Sequence, residues 1–199
     1  ASGVTINRIE VWVTNKRGNY DQSRNIVALT DLGEYDPAHI QGSGWTTEPG
    51  ARTPYNNANT LYQTLAIENA VVRDIQQSTS VMQDLGLESG EDYEKVESAR
   101  LLSSNEYTLN AALGYISLRS ALNQDEVLAV AYEYTYAGQV YQVGEFSTDG
   151  GEALKAPNAL LLKLLKSTNN APDKKGKGTW DLMMKNVYSL GANQMSSDN

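Results

Sequence analysis

The chain has 199 residues, of which 40% are hydrophobic and 20% charged, a composition typical of one globular domain or two small lobes. It contains no cysteine, which excludes disulfides and thiolate metal sites. Its net charge is −8, and this acidic balance argues against nucleic acid as a partner, because a phosphate-binding surface normally carries a basic patch. No window approaches the ~20 consecutive apolar residues of a membrane helix, and we interpret the chain as a piece of a longer protein.

The first part of the chain predicts β-structure followed by a long loop. Two strands are expected within residues 4–34, and the first alternates so that Ile9, Val11 and Val13 face inward. The composition then shifts to Gly, Pro, Asn and Thr over residues 35–59. A loop of this length in a compact domain is either functional or mobile.

A helical insert is predicted within residues 60–86, with its main stretch around 67–86. Its apolar stripe consists of Ile67, Val71, Ile75, Met82 and Leu85. Gly86 is a suitable C-terminal stop. Asp74 and Gln77 have the spacing of a capping box, which is a second place for the helix to begin.

Residues 92–199 are predicted to be β-rich again. The segment 159–167 is a short leucine run, and periodicity alone does not decide between a strand and a helix there. The segment 180–190 is ambiguous in the same way. The predicted fold class is therefore α+β: an antiparallel, β-rich, sandwich-like soluble module with one helical insert.

The longest apolar stretch, residues 127–146, predicts a β-hairpin. A two-residue turn at Gly138 and Gln139 would pair Tyr136 with Tyr141, Tyr134 with Val143, and Tyr132 with Glu145. A carboxylate would then interrupt the face that a membrane strand offers to lipid. We therefore expect a central hairpin of a soluble sheet, with Val130 and Val143 buried on its tyrosine face, and with Glu133 and Glu145 at the surface.

Catalytic and metal-binding patterns are missing from the sequence. The one histidine, His39, stands alone in the predicted loop, and no G-x-S-x-G motif accompanies it. No group of metal ligands occurs at a recognised spacing. We therefore predict no catalytic residue, no cofactor and no metal site.

Aromatic usage is strongly biased, with twelve tyrosines and three tryptophans against one phenylalanine. Tyrosine buries its ring while its hydroxyl stays hydrated, which suits binding surfaces as well as half-exposed sheets. Trp45 and Tyr55 in the long loop are the candidate binding residues. They would serve the alternative function, a β-sandwich module of an exported surface protein that binds carbohydrate or protein.

Five segments together carry a family resemblance over about Ile6 to Ala192. They are "INRIEVWVTNKRGNYDQSRNIVALTDLGE", "GEDYEKVESARLLSSNEYTLNAALGYISL", "DEVLAVAYEY", "VYQVGEF" and "LLLKLLKST…WDLMMKNVYSLGA". In this order they resemble the SprA (Sov) family, the giant outer-membrane translocons of type IX protein secretion and gliding motility.

The resemblance implies a non-enzymatic module of a secretion machine, with no catalytic motif to carry over. The implied partners are other parts of the same translocon chain, secretion-system proteins and secreted cargo. The implied location is the outer membrane, with this module itself not membrane-inserted. Of its two sides, we favour the extracellular cap over the periplasm.

Overall fold

The structure is a computed structural model that describes residues 3–18, 20–32, 53–169, 179 and 182–183. Within these residues the chain forms eight strands. They are β1 (Val4–Val13), β2 (Ser23–Leu29), β3 (Tyr93–Leu101), β4 (Tyr107–Asn110), β5 (Tyr115–Leu118), β6 (Leu128–Tyr136), β7 (Gln139–Val143) and β8 (Leu160–Lys166).

Five of these strands close into a small barrel. The hydrogen-bonded order is β1, β3, β2, β8 and β6, and β6 pairs back with β1. Closure depends on the length of β6: one of its edges pairs with β1 over its whole length, while the other pairs first with β8 and then with β7. The predicted β-rich α+β class is confirmed. The sandwich-like arrangement is corrected to a barrel, because the sheet closes on itself instead of packing on a second large sheet.

The barrel interior is filled by side chains that alternate along the strands. The buried members of this cluster are Trp12, Ile26, Ala28, Val96, Ala99, Val127, Ala129, Ala131, Phe146, Leu160, Leu162 and Leu164. Val11 and Val13 are buried as expected, but they lie on the outside of the barrel, under the β4–β5 hairpin. The inward-facing residue of this part of β1 is Trp12. Alternation separates the two faces of a strand, but it does not say which face a closed sheet encloses.

The helical insert is present but is broken into short pieces. These are α1 (Leu61–Gln63), a π-turn (Thr64–Glu68), a 3₁₀ turn (Ala70–Arg73) and α2 (Ser78–Asp84). The chain leaves helical geometry at Asn69, with φ −122° and ψ 46°. The predicted single stripe is therefore wrong in part: Ile67 and Val71 are exposed, whereas Ile75 and Met82 are buried.

The predicted start at Asp74 and the predicted stop at Gly86 can each be compared with the structure. Asp74 accepts hydrogen bonds from the Gln76 backbone N–H at 3.0 Å and from the Gln77 side chain at 2.6 Å, just before α2 begins at Ser78. The second predicted starting point is thus close to the observed one. Gly86 ends the helix as predicted, with φ +76°.

The hairpin formed by β6 and β7 is confirmed, but its register is two residues away from the prediction. Its turn residues are Ala137 and Gly138, both at positive φ, so that Tyr136 pairs with Gln139, Tyr134 with Tyr141, and Tyr132 with Val143. Two positive φ values are the signature of a type I′ turn, which matches the twist of the strands. Glu145 consequently lies beyond the end of β7. Val130 and Val143 are buried, as predicted.

The first ambiguous segment is resolved as a strand. Residues 160–166 form β8, which runs parallel to β2 and pairs Ile26 with Leu160. Of the second ambiguous segment, 180–190, only Leu182 and Met183 are described. Most of the predicted loop 35–59 also lies outside the described residues, which resume at Thr53.

Candidate binding surface

Two neighbouring features occupy the outer face of β1, β6 and β7. The first is an apolar groove of about 920 Å³, which we call the β1–β6 groove. The second is a group of stacked tyrosines at the hairpin end, which we call the tyrosine cluster. The groove is lined by Ile6, Ile9, Leu109, Gly114, Tyr115, Ile116, Ser117, Leu118, Leu122, Leu128, Val130, Tyr132, Lys163, Leu165, Lys166, Leu182 and Met183.

The pairing of β1 with β6 places apolar side chains along this face. Val11 lies opposite Val130, and Ile9 lies opposite Tyr132. The β4–β5 hairpin packs over the part nearer Val11 and buries it. Ile9 and Tyr132 are only half-buried, because the hairpin does not extend over them completely. Among the described residues, the groove continues a hydrophobic core beyond the cover of the β4–β5 hairpin.

The wall of the groove is tied to the barrel through Glu106, which precedes β4. Its carboxylate forms salt bridges with Arg100 at 2.8 Å and with Arg17 at 3.0 Å. It also accepts a hydrogen bond from the Ser103 backbone N–H at 3.0 Å. The hydrogen bond from Arg100 is the main cause that lowers the pKa of Glu106 to about 2, and burial opposes it. The β4–β5 hairpin therefore depends on an ionised Glu106.

The tyrosine cluster contains Tyr55, Tyr132, Tyr134 and Tyr141. Ring centroids are 6.0 Å apart for Tyr132 and Tyr134, 5.3 Å for Tyr134 and Tyr141, and 5.7 Å for Tyr141 and Tyr55. The hydroxyl of Tyr134 donates to the Pro54 carbonyl at 2.5 Å, which fixes the loop against the hairpin. Tyr136 continues the same face of β6 and is 40% exposed.

The two predicted binding residues have separate outcomes. Tyr55 is half-buried, and it meets Tyr141 edge to face at an interplanar angle of 62°. Asn56 beside it is buried and bonded to the Gly144 backbone on both sides, through its amide nitrogen at 3.2 Å and its carbonyl oxygen at 2.7 Å. Tyr55 is thus held in place as part of an aromatic group. Trp45 lies outside the described residues, as does His39.

On the opposite side of the barrel, a buried ion pair joins the insert to β8. Arg73 contacts Glu145 through both terminal guanidinium nitrogens, Nη2 to Oε1 at 2.6 Å and Nη1 to Oε2 at 2.8 Å. Glu145 also accepts hydrogen bonds at 2.8 Å from the Tyr62 hydroxyl and from the Leu161 backbone N–H.

The surface position predicted for Glu145 is therefore wrong, since its side chain is 2% exposed. Burial, followed by the nearby carboxylate, raises the pKa of Tyr62. Burial alone would lower the pKa of Arg73, but the hydrogen bond and charge of Glu145 outweigh it and raise that pKa. Tyr62 therefore stays neutral and Arg73 stays charged near neutral pH.

Another polar group closes one end of the barrel. Glu10 accepts hydrogen bonds from the Ser147 backbone N–H at 3.0 Å and from the Trp12 indole at 3.3 Å. Arg8 lies 3.7 Å above the centre of the Phe146 ring and forms a salt bridge with Asp149 at 2.9 Å. The Glu10 carboxylate is thus hydrogen-bonded, and Arg8 is paired with Asp149. Among the described residues, no group of three or more His, Cys, Asp or Glu is arranged to hold a metal ion.

No family model matches the chain, and no curated protein matches it either. The resemblance described above therefore depends on the quoted segments alone. In the part of the chain that is described, no helix combines the length and the apolar character needed to cross a membrane.

Sequence reasoning missed most of the groove. The segments "EYTL" and "GYISL", which form β4 and β5, were predicted only as part of the β-rich region 92–199. Nothing in that pattern showed that the hairpin would pack on β1 and β6 and leave a gap. Arg73 gave no signal either, because a lone arginine in a helical pattern is normally solvated.

Proposed function

We propose that the chain is a non-enzymatic module of a type IX outer-membrane translocon of the SprA kind, and that it binds neighbouring protein segments through its tyrosine cluster. The observation that supports this most is where the resembling segments fall. They overlap all eight described strands, and they leave out the helical insert at residues 60–86. A resemblance that runs through the strands and not through the insert is what a shared scaffold would produce.

The tyrosine cluster supplies the chemistry for protein binding. Its rings are stacked and held by the Tyr134 hydroxyl, so ordering them on binding costs little entropy. Tyr136 beside them is exposed, and Val140 at the tip of the hairpin is 61% exposed. Aromatic side chains that are already fixed are favoured at the centres of protein interfaces. The partners we propose are other parts of the translocon chain, secretion-system proteins and cargo, at the outer membrane and on its extracellular cap side.

The experiment replaces Tyr136 with alanine in the full-length protein and measures export in the native bacterium. Tyr20→Ala is the matched control, because Tyr20 is also an exposed tyrosine, at 64%, and belongs to neither surface feature. We expect Tyr136→Ala to reduce export several-fold while thermal melting is unchanged, and Tyr20→Ala to leave both unchanged. Equal export by both variants would contradict the proposed surface, and a full-length gene encoding a short exported hydrolase would contradict the translocon.

A second candidate is a carbohydrate-binding module of an exported protein, and the observation that favours it is the half-buried Tyr55 next to Tyr141. A glycan array on the purified chain separates the two candidates. Binding that is lost in Tyr55→Ala would support the carbohydrate module, whereas an empty array would favour the translocon module.

A further inference from the structure

The charged side chains of the β1–β6 groove are all basic, although the chain as a whole is acidic. The sequence has 24 acidic residues against 16 lysines and arginines. Among the described residues that line the groove, the charged side chains are those of Lys163 and Lys166 alone. Both belong to β8, where Lys166 pairs with Leu128 and Lys163 with Val130 of β6. The two cations therefore lie toward one end of a mainly apolar groove.

The ammonium of Lys166 is held in place by neutral groups. It donates hydrogen bonds to the backbone carbonyls of Glu126 at 2.6 Å, Gln124 at 3.1 Å and Ser167 at 3.4 Å. Among the described residues, no carboxylate lies within ion-pair distance of this ammonium. Backbone carbonyls fix the position of a lysine but carry no net charge that would neutralise it.

The carboxylates nearest to Lys166 are bonded to other groups. Burial is the main cause that lowers the pKa of Lys166, and the charges of Glu126, Asp125 and Glu94 oppose it. Their bonds are from the Asn123 backbone N–H to Glu126 at 2.6 Å, from Lys16 to Asp125 at 2.6 Å, and from the Ser167 hydroxyl to Glu94 at 2.7 Å. A partly desolvated ammonium without a bonded carboxylate favours an incoming anion.

The apolar part of the groove runs away from the lysines along the outer face of β6. Leu128, Val130 and Tyr132 follow one another on this face, and Ile6 of β1, opposite Tyr134, also lines the groove. The distance along β6 from Leu128 to Tyr134 is about 20 Å, at about 3.3 Å per residue. The groove thus offers a long apolar path that starts beside a cation.

The polar content of the groove favours an aliphatic chain over a peptide as its occupant. Apart from the two lysines, the described lining has few polar side chains, which are Tyr115, Ser117 and Tyr132. A peptide would bring backbone amides that need hydrogen-bond partners, and burying them without partners is costly. An aliphatic chain brings no such groups.

We propose that the β1–β6 groove binds a fatty acid, with the aliphatic chain along Leu128, Val130 and Tyr132 and the carboxylate at Lys166. This inference is independent of the translocon assignment, because the tyrosine cluster and its partners do not enter it. Two other occupants, a second copy of the chain and a separate protein, predict different results in the experiments below.

The first experiment varies the ligand and needs no protein variant. Calorimetry measures the binding of decanoate, decanol, decyltrimethylammonium and pentanoate to the 199-residue chain, each below the concentration at which it forms micelles. We expect decanoate to bind about tenfold or more tightly than decanol, which lacks the charge, and than pentanoate, which has half the chain. Absence of decanoate binding, or equal affinity for decanoate and the neutral or cationic analogue, would overturn the proposal.

The second experiment tests the lysine. Lys166→Met removes the charge and keeps an apolar stem, so it should weaken decanoate binding about tenfold and leave decanol binding unchanged. Lys166→Arg keeps the charge and should retain most of the affinity. The matched control is Lys155→Met, because Lys155 forms an exposed salt bridge with Glu152 and does not line the groove. An equal loss of decanoate affinity in Lys155→Met would assign the effect to overall charge and overturn the proposal.

The third experiment tests the apolar path. Leu122 is half-buried in the groove lining, and Leu122→Glu places a negative charge there, which should abolish decanoate binding while thermal melting shows a folded chain. Unchanged decanoate binding in this variant would show that the site lies elsewhere. Light scattering of the unmodified chain gives its oligomeric state. A dimer that Leu122→Glu dissociates would assign the groove to a second copy and overturn the proposal.

Discussion

The two outer faces of the barrel are covered by different elements and to different extents. On the face of β2 and β8, the helical insert covers a cluster that includes Leu29, Leu65, Met82 and Leu161, each 0% exposed. On the face of β1 and β6, the β4–β5 hairpin covers Val11 and Val13 but leaves Ile116 and Leu122 half-buried. As far as the described residues go, one barrel therefore carries a closed face and a more open one.

The ion pairs that hold the covering element on each face also differ in how deeply they are buried. The insert is held by the buried pair Arg73–Glu145, whose side chains are 6% and 2% exposed. The β4–β5 hairpin is held by Glu106, whose side chain is 23% exposed and faces Arg17 and Arg100. A buried ion pair is strong only when complete, whereas a half-exposed one weakens gradually with salt and pH. The packing of the insert on the closed face should therefore be lost cooperatively. The packing of the β4–β5 hairpin on the open face should weaken gradually.

The largest expected effect is at Glu145. Glu145→Gln removes the charge that compensates Arg73 and leaves a buried guanidinium without its counter-ion. We expect a loss of about 3–5 kcal/mol in the free energy of unfolding, measured by urea denaturation.

The matched control for that variant is Glu133→Gln. Among the described residues, Glu133 accepts an exposed hydrogen bond from Asn7 at 3.1 Å, so its loss should change stability by about 0.5 kcal/mol or less. Similar losses in the two variants would mean that the pair does not hold the closed face. A double variant, Arg73→Met with Glu145→Gln, should regain part of the loss, because it removes the uncompensated charge.

The second prediction compares two leucines, one on each face. Leu65 belongs to the insert and is fully buried in the cluster with Leu29 of β2, whereas Leu122 is half-buried at the groove. Leu65→Ala should cost about 2–5 kcal/mol, because it leaves a cavity in a closed core. Leu122→Ala should cost about 1 kcal/mol or less, because solvent already reaches its surroundings. Equal denaturation midpoints for the two variants would remove the distinction between the faces.

The sequence was sufficient for the elements that depend on local pattern. The alternation in β1, the hairpin of β6 and β7, and the helix stop at Gly86 all follow from period and turn chemistry. The choice of Gly138 and Gln139 as turn residues failed, because the twist of the strands favours a pair at positive φ, and Ala137 adopts that geometry here.

The features that sequence reasoning missed depend on tertiary closure. Glu145 resembled a surface carboxylate, since Arg73 lies 72 positions earlier in the chain, and no local pattern links the two residues. The groove has the same origin, because its walls come from β1, β5 and β6. Predicting the barrel would have required predicting that β2 pairs parallel with β8. The sequence left this open, because the leucine run that forms β8 was also compatible with a helix.

The third prediction compares two valines. Val72 is a fully buried residue of the insert, and Val130 is 2% exposed under the β4–β5 hairpin. Each valine-to-alanine change deletes two methyl groups and should cost about 1–3 kcal/mol. We expect Val130→Ala to fall at the lower end of this range, since the hairpin can shift toward β6 and fill the space. Urea midpoints of the two variants measure the difference, and a larger loss for Val130→Ala would show that the hairpin is the more rigid cover.

The smallest effect, and the most specific to the open face, is the pH dependence at Glu106. Its pKa is about 2 in the folded chain, against 4.5 for an ordinary glutamate, so the ionised form stabilises the fold. Because the folded pKa is the lower of the two, this stabilisation is complete above pH 4.5 and is lost as the pH falls from 4.5 towards 2. After allowance for solvent screening, Glu106→Gln should cost about 1–2 kcal/mol at pH 7, and the difference should shrink towards zero near pH 2. Denaturation of both proteins between pH 7 and pH 2 measures it, and a difference that stays constant over this range would show that Glu106 holds the hairpin by hydrogen bonding alone.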